Sequence, residues 1–176
     1  MKKIFFIIVF ISASIIAWCW DKINFEFSFE NFYWYFFTEN TFEKSEKTST
    51  WLWFQLIKTD IIQTYAQSNS TWYVDSIIII KKITDKKLED FVEENIKKIK
   101  LEWYKSDSTK DWNIRCKEDK IKINIINSQL SANLNTIFFT HAFFKVENNI
   151  YIISFSTDKK EERDTFASDV KNIKCK

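Results

Sequence analysis

The 176 residues carry 26 Lys and Arg against 24 Asp and Glu, so the chain is long enough for one real core and has no net field to draw it to nucleic acid. It holds no Gly and no Pro but eight Trp, where ordinary usage would give roughly 12 Gly and 9 Pro. Its turns and helix ends therefore lack the residue that takes φ > 0 without a Cβ clash.

The chain opens MKKIFFIIVFISASIIAWCW. Lys2 and Lys3 precede an apolar run over residues 4–16, too short for a bilayer span, which needs about 20 residues. Trp18 then stands where signal cleavage requires a small side chain. The other tryptophans are similarly placed. Trp34 crowds FYWYFF, Trp51 and Trp53 flank Leu52 after a polar stretch, and Trp72 lies in SNSTWYVDS. Trp103 sits where a glycine would end a helix, and Trp112 follows Asp111 where Asp-Gly would form a hairpin turn. We expect these tryptophans to be glycines in the cell. Some bacteria read UGA as glycine, and a translation table that reads it as tryptophan would make the exchange. Abundant Ile, Lys, Asn and Phe, with scarce Ala and Arg, fit the AT-rich genome in which such an alternative genetic code would operate.

With glycine at position 18, Ile16-Ala17-Gly-Cys19 resembles the lipobox of bacterial lipoproteins. The resemblance implies a lipoprotein signal peptide over residues 1–18 and a lipid such as palmitate on Cys19. A tether over 19–24 would follow, then one domain over 25–176, exported and anchored to a membrane on the extracytoplasmic side. Removing residues 1–18 takes away Lys2 and Lys3 and leaves 24 cationic and 24 acidic residues. Cys116 and Cys175 remain, an even number in an oxidising compartment, and are expected to form a disulfide rather than two buried thiols. No zinc spacing is present.

Further along, DKINFEFS leads into a first strand, and residues 38–50 read as a long polar loop. WLWFQLI and IIQTYAQ read as strands. SIIIIKKI, residues 76–83, predicts a central strand covered on both faces. A helix follows, capped by Thr84 and running over residues 85–102, with Leu88, Phe91, Val92, Ile96 and Ile99 on one face. IKINII alternates, with Ile121, Ile123 and Ile125 inward and Lys122 and Asn124 outward. TIFFTHAFFKV and IYIISFS form two long strands joined at Glu147-Asn148-Asn149, where Asn would suit a left-handed angle. A last helix starts at Thr157 or Asp158, with Glu161 in a capping-box position and Phe166, Val170 and Ile173 as its buried stripe.

The expected class is α+β: a largely antiparallel sheet covered by two amphipathic helices. The order of elements over residues 76–175, above all NIYIISFSTDKKEERDTFASDVKNIK, resembles the PsbP-like domains of small bacterial lipoproteins, an α/β sandwich. That resemblance implies a mostly non-enzymatic domain and carries over no catalytic residue.

Chemistry is sparse in the sequence. His141, the only histidine, lies between Phe139 and Phe143 at alternating positions and reads as a core imidazole. Cys116 with His141 is a weaker nucleophile pair, since the disulfide competes for the thiol. Glu93-Glu94 and Glu161-Glu162 are adjacent acids on helices that face solvent. No phosphate loop or serine elbow is visible with either Trp or Gly. We therefore expect no catalytic residue, no cofactor and no metal. The expected function is a lipid-anchored binding or assembly module that holds another envelope protein or a small ligand. The alternatives are an aromatic adhesin or glycan-binding surface, which needs genuine exposed tryptophans, and an envelope enzyme.

Overall fold

The computed structural model describes residues 23–38, 42–45, 60–67, 76–101, 105–116, 119–132 and 135–176. The expected signal peptide, Cys19, Trp51, Trp53, Trp72, Trp103 and the WLWFQLI strand lie outside them. Among the described residues, ten strands and two helices follow in the order β1 (Ile23–Phe29), β2 (Phe32–Thr38), β3 (Glu43–Ser45), β4 (Asp60–Ala66), β5 (Ser76–Thr84), α1 (Leu88–Leu101), β6 (Lys105–Cys116), β7 (Asp119–Ala132), β8 (Asn135–Val146), β9 (Asn149–Thr157), α2 (Lys160–Asp169) and β10 (Lys174–Cys175). A 3-10 turn, Val170–Asn172, joins the last two.

Seven strands form one sheet in the order β3-β4-β5-β9-β8-β7-β6, every neighbouring pair antiparallel. β1, β2 and β10 form a second, small sheet. The expectation of an α+β sheet covered by two helices is corrected by this arrangement: the described chain is mostly β. Helix α1 covers one face of the large sheet, packing Leu88, Phe91, Val92 and Ile99 onto Ile126, Phe139, Phe143, Ile150 and Ile152. The other face is covered chiefly by the β1–β2 hairpin, with α2 set beside it against β2, β8 and β9.

The reason lies in FEFSFENFYWYFF. Its large aromatics alternate at period two, so Phe27, Phe29, Phe32, Trp34 and Phe36 all point inward, each 5% exposed or less. Such a ribbon brings more apolar area than a ten-residue helix whose buried side chains are Arg163 and Phe166. Phe27 stacks on Trp34 at 5.2 Å, and Phe36 meets Phe166 edge to face at 5.2 Å. At the hairpin tip, Glu30 takes φ 45°. Its carboxylate accepts from Tyr151 Oη at 2.6 Å and from Lys82 Nζ at 2.9 Å, which pins the tip to the large sheet. The Tyr151 hydrogen bond, with Lys82 beside it, holds the Glu30 carboxyl below its usual range despite partial burial.

Several local expectations meet the structure directly. β5 lies between β4 and β9 with Ile78 and Ile80 fully buried. Ile123 and Ile125 face the core, while Lys122 and Asn124 reach Asp111 on the other side. Others shift. Thr84 stays in the sheet opposite Asn149, and Asp85 turns through φ 61° before α1 starts at Leu88. Part of the expected polar loop is the edge strand β3, preceded by the buried Phe42. At the β8–β9 turn, Glu147 takes the left-handed angle, φ 55°, rather than an asparagine. Trp112, expected at a hairpin turn, stands mid-strand in β6 opposite Ile123.

Candidate functional site

Cys116 ends β6, and Cys175 lies in β10 opposite Phe32. Their Cα atoms are 5.1 Å apart and the two stand at disulfide distance, fastening the outermost strand of the large sheet to the small sheet. This closes one end of the face that carries Cys116, Ile114, Trp112 and Lys110, alternate residues of β6.

Beyond Ile114 the small sheet no longer covers that face. A groove of about 680 Å³ opens there between β6, β7 and α2. Lys110 and Trp112 rise from β6, and Asn127 and Gln129 form part of its floor on β7. Lys160, Arg163, Asp164 and Lys171 line the side formed by α2 and the 3-10 turn. Lys171 Nζ sits 4.6 Å from the centre of the Trp112 ring, a cation–π contact that orders an otherwise loose ammonium. Arg163 is 2% exposed. Its Nε and Nη2 donate to Asp164 Oδ1 at 3.0 and 2.8 Å, and its guanidinium lies 5.3 Å from the centre of the Phe138 ring. Thr140 Oγ1 donates to Asn127 Oδ1 at 2.8 Å, so the Asn127 amide keeps its Nδ2 as the remaining donor.

Glu162, the neighbour of Arg163, turns the other way. One carboxylate oxygen accepts from Thr38 Oγ1 at 2.9 Å. The second accepts from Ser76 Oγ at 2.9 Å and Thr157 Oγ1 at 2.8 Å. Thr157 Oγ1 also accepts from Lys159 N, and Lys159 itself offers no side-chain cap. The capping box expected of Glu161 is not formed; its neighbour Glu162 instead joins α2 to β2, β5 and β9 through three hydroxyls. Glu162 is not the solvent-facing acid that the sequence suggested.

His141 lies on the opposite face of the large sheet from Cys116, between Phe139 and Phe143 at 6.3 Å from each ring. The nucleophile pair with Cys116 is therefore not assembled. Its Nδ1 is 2.9 Å from Ser154 Oγ on the neighbouring strand. Burial, with the Lys81 ammonium nearby, pushes its pKa down to about 4. A base working near neutral pH needs a pKa closer to 7. The pair suits a polar bridge between β8 and β9 better than proton transfer. Among the described residues, no three His, Cys, Asp or Glu side chains gather where a metal could be held.

The aromatic platform suggested by FYWYFF is divided by the pleat. Trp34 is buried, its Nε1 finding no hydrogen-bond partner among the described residues, while Tyr35 and Phe37 face outward. Sequence reasoning missed the groove, yet one signal was present. Arg163, Phe166, Val170 and Ile173 follow one another at three, four and three residues, so a cation occupies the buried stripe of the last helix. No protein family matches the chain, and no curated protein does.

Proposed function

We propose that this protein is a lipid-anchored, extracytoplasmic binding or assembly module without catalytic activity. In this reading glycine occupies position 18 in the cell, Cys19 carries the lipid, and the domain projects from the membrane as a rigid β framework. The observation that carries the binding role is the open groove between β6, β7 and α2, whose size falls within the range of small-ligand sites. The Cys116–Cys175 pair supports an oxidising compartment. The PsbP-like resemblance of the last strand and helix supports a holding role rather than covalent chemistry.

Fractionation tests the placement. The parent chain should appear with membranes, and Cys19→Ser should leave them for the soluble extracytoplasmic fraction. Recovery of the parent chain in the cytoplasm would overturn the reading.

A glycan-binding surface is the second reading, and Trp112 favours it: its indole is 42% exposed at the groove. If Trp112 is genuine and binds a sugar face, Trp112→Ala should abolish retention on immobilised envelope polysaccharide. Unchanged retention would remove this reading.

A further inference from the structure

The chain is close to neutral, with 26 Lys and Arg against 24 Asp and Glu, but its charges are not evenly spread. The groove between β6, β7 and α2 is lined by three lysines and one arginine against a single carboxylate. That carboxylate, Asp164, is already bound to Arg163 at 2.8 Å, so the two offset each other. Lys110, Lys160 and Lys171 are left facing a common space. Among the described residues none of them forms an ion pair, whereas Lys82, Lys86, Lys97, Lys98 and Lys122 each do. Three lysines lining one groove carry like charges, which an anion between them would offset. Trp112 adds to the arrangement by holding Lys171 Nζ at the groove.

We propose that this groove binds a phosphate ester, with the phosphate among Lys110, Lys160 and Lys171 and the organic part over Asn127 and Gln129. Three separate point charges suit a dianion with three acceptor oxygens better than one flat carboxylate, which a bidentate arginine recognises best. Arg163 is not available for that role, because Asp164 and Phe138 already hold it. The space of about 680 Å³ exceeds what a bare phosphate fills, so the ligand has a body, and the floor amides can bond its hydroxyls. The proposal deepens the binding-module reading and rests on it for its setting alone.

Isothermal titration of the mature chain, disulfide intact, tests it. The probes are glycerol 3-phosphate, vesicles of phosphatidic acid, vesicles of phosphatidylcholine, and glucuronate. Glycerol 3-phosphate or phosphatidic acid should bind, and more weakly as salt is raised. The double variant Lys110→Gln/Lys171→Gln should lose about tenfold in affinity, and Lys160→Glu at least as much. Lys97→Gln, on the outer side of α1, should change nothing. Saturation by phosphatidic acid vesicles without response to glycerol 3-phosphate or phosphatidylcholine assigns the phosphate to a lipid headgroup and supports the site. Response to glycerol 3-phosphate alone assigns it to a free ester and supports it equally. Tighter binding of glucuronate, affinity indifferent to the lysine substitutions, or no response to either phosphate probe would overturn it. The fractionation of Cys19→Ser leaves the groove untouched, so the anchoring reading and this one fail separately.

Discussion

Cys116 and Cys175, separated by 59 residues in sequence, bring their Cα atoms to 5.1 Å and thereby tie the last strand of the small sheet to the edge of the large one. The tie closes a long loop that contains β7, β8, β9 and α2. Reducing it should cost about 4 kcal/mol, mainly by releasing the unfolded chain. Denaturant unfolding with and without reductant measures this. The same loss is expected of Cys116→Ser/Cys175→Ser, and a loss well under about 1 kcal/mol would mean that the small sheet is held by its aromatic packing alone.

Glu162 is the polar counterpart of that tie. It accepts hydrogen bonds from Thr38, Ser76 and Thr157, all within or at the edge of the core. Glu162→Ala removes a charged acceptor shared by three hydroxyls and should destabilise the fold by about 3 kcal/mol. Glu161→Ala, one residue away and exposed, should change stability by no more than about 0.5 kcal/mol. Equal effects at the two positions would deny Glu162 its joining role.

His141 gives the fold a pH dependence of a definite sign. Its pKa in the folded chain, about 4, lies below the 6.5 of an exposed histidine, so the unfolded chain takes up the proton first. The stability that neutral His141 contributes is complete above pH 6.5 and is lost as pH falls from there to about 4. The full swing is about 3 kcal/mol. Parallel unfolding of the parent and His141→Gln chains across this window should show the parent losing more on acidification. Parallel curves would place the imidazole in a more solvated site.

Trp34 bears on the residue encoded at the tryptophan positions. Its indole is 1% exposed and packs on Phe27, Phe29 and Phe166. Trp34→Gly should therefore cost about 4 kcal/mol, from a large cavity and a looser strand. If UGA-encoded glycine stands there in the cell, the neighbouring rings must close over the space. Comparing the unfolding midpoints of chains carrying Trp and Gly at position 34 decides whether they do. A difference below about 1 kcal/mol would show that the hairpin repacks.

Much of the strand pattern was legible because period-two alternation survives in a single sequence. Ile123 and Ile125 read directly as core residues, and Ile78 does so through its place in an unbroken apolar run. The covering layer was not legible. FYWYFF is aromatic at every position, with only the hydroxyls of Tyr33 and Tyr35 to mark its outward side, and pairing with β1 sets Trp34 inward and Phe37 outward. Turn positions misled for a related reason. In a chain without Gly the left-handed angles among the described residues fall to Glu30, Asp85 and Glu147, and of these only Asp is a type that favours them. The groove could not be read either, since Lys110 and Lys171 are distant in sequence and meet only because β6 and the 3-10 turn do.

The proposed anchoring requires Cys19 to be the first, acylated residue of an exported domain. Mass analysis of the N-terminal peptide, taken from protein extracted from membranes, examines that directly. The predicted peptide begins at Cys19 and carries acyl chains. A peptide that retains Met1, or one with an unmodified Cys19, would contradict the account.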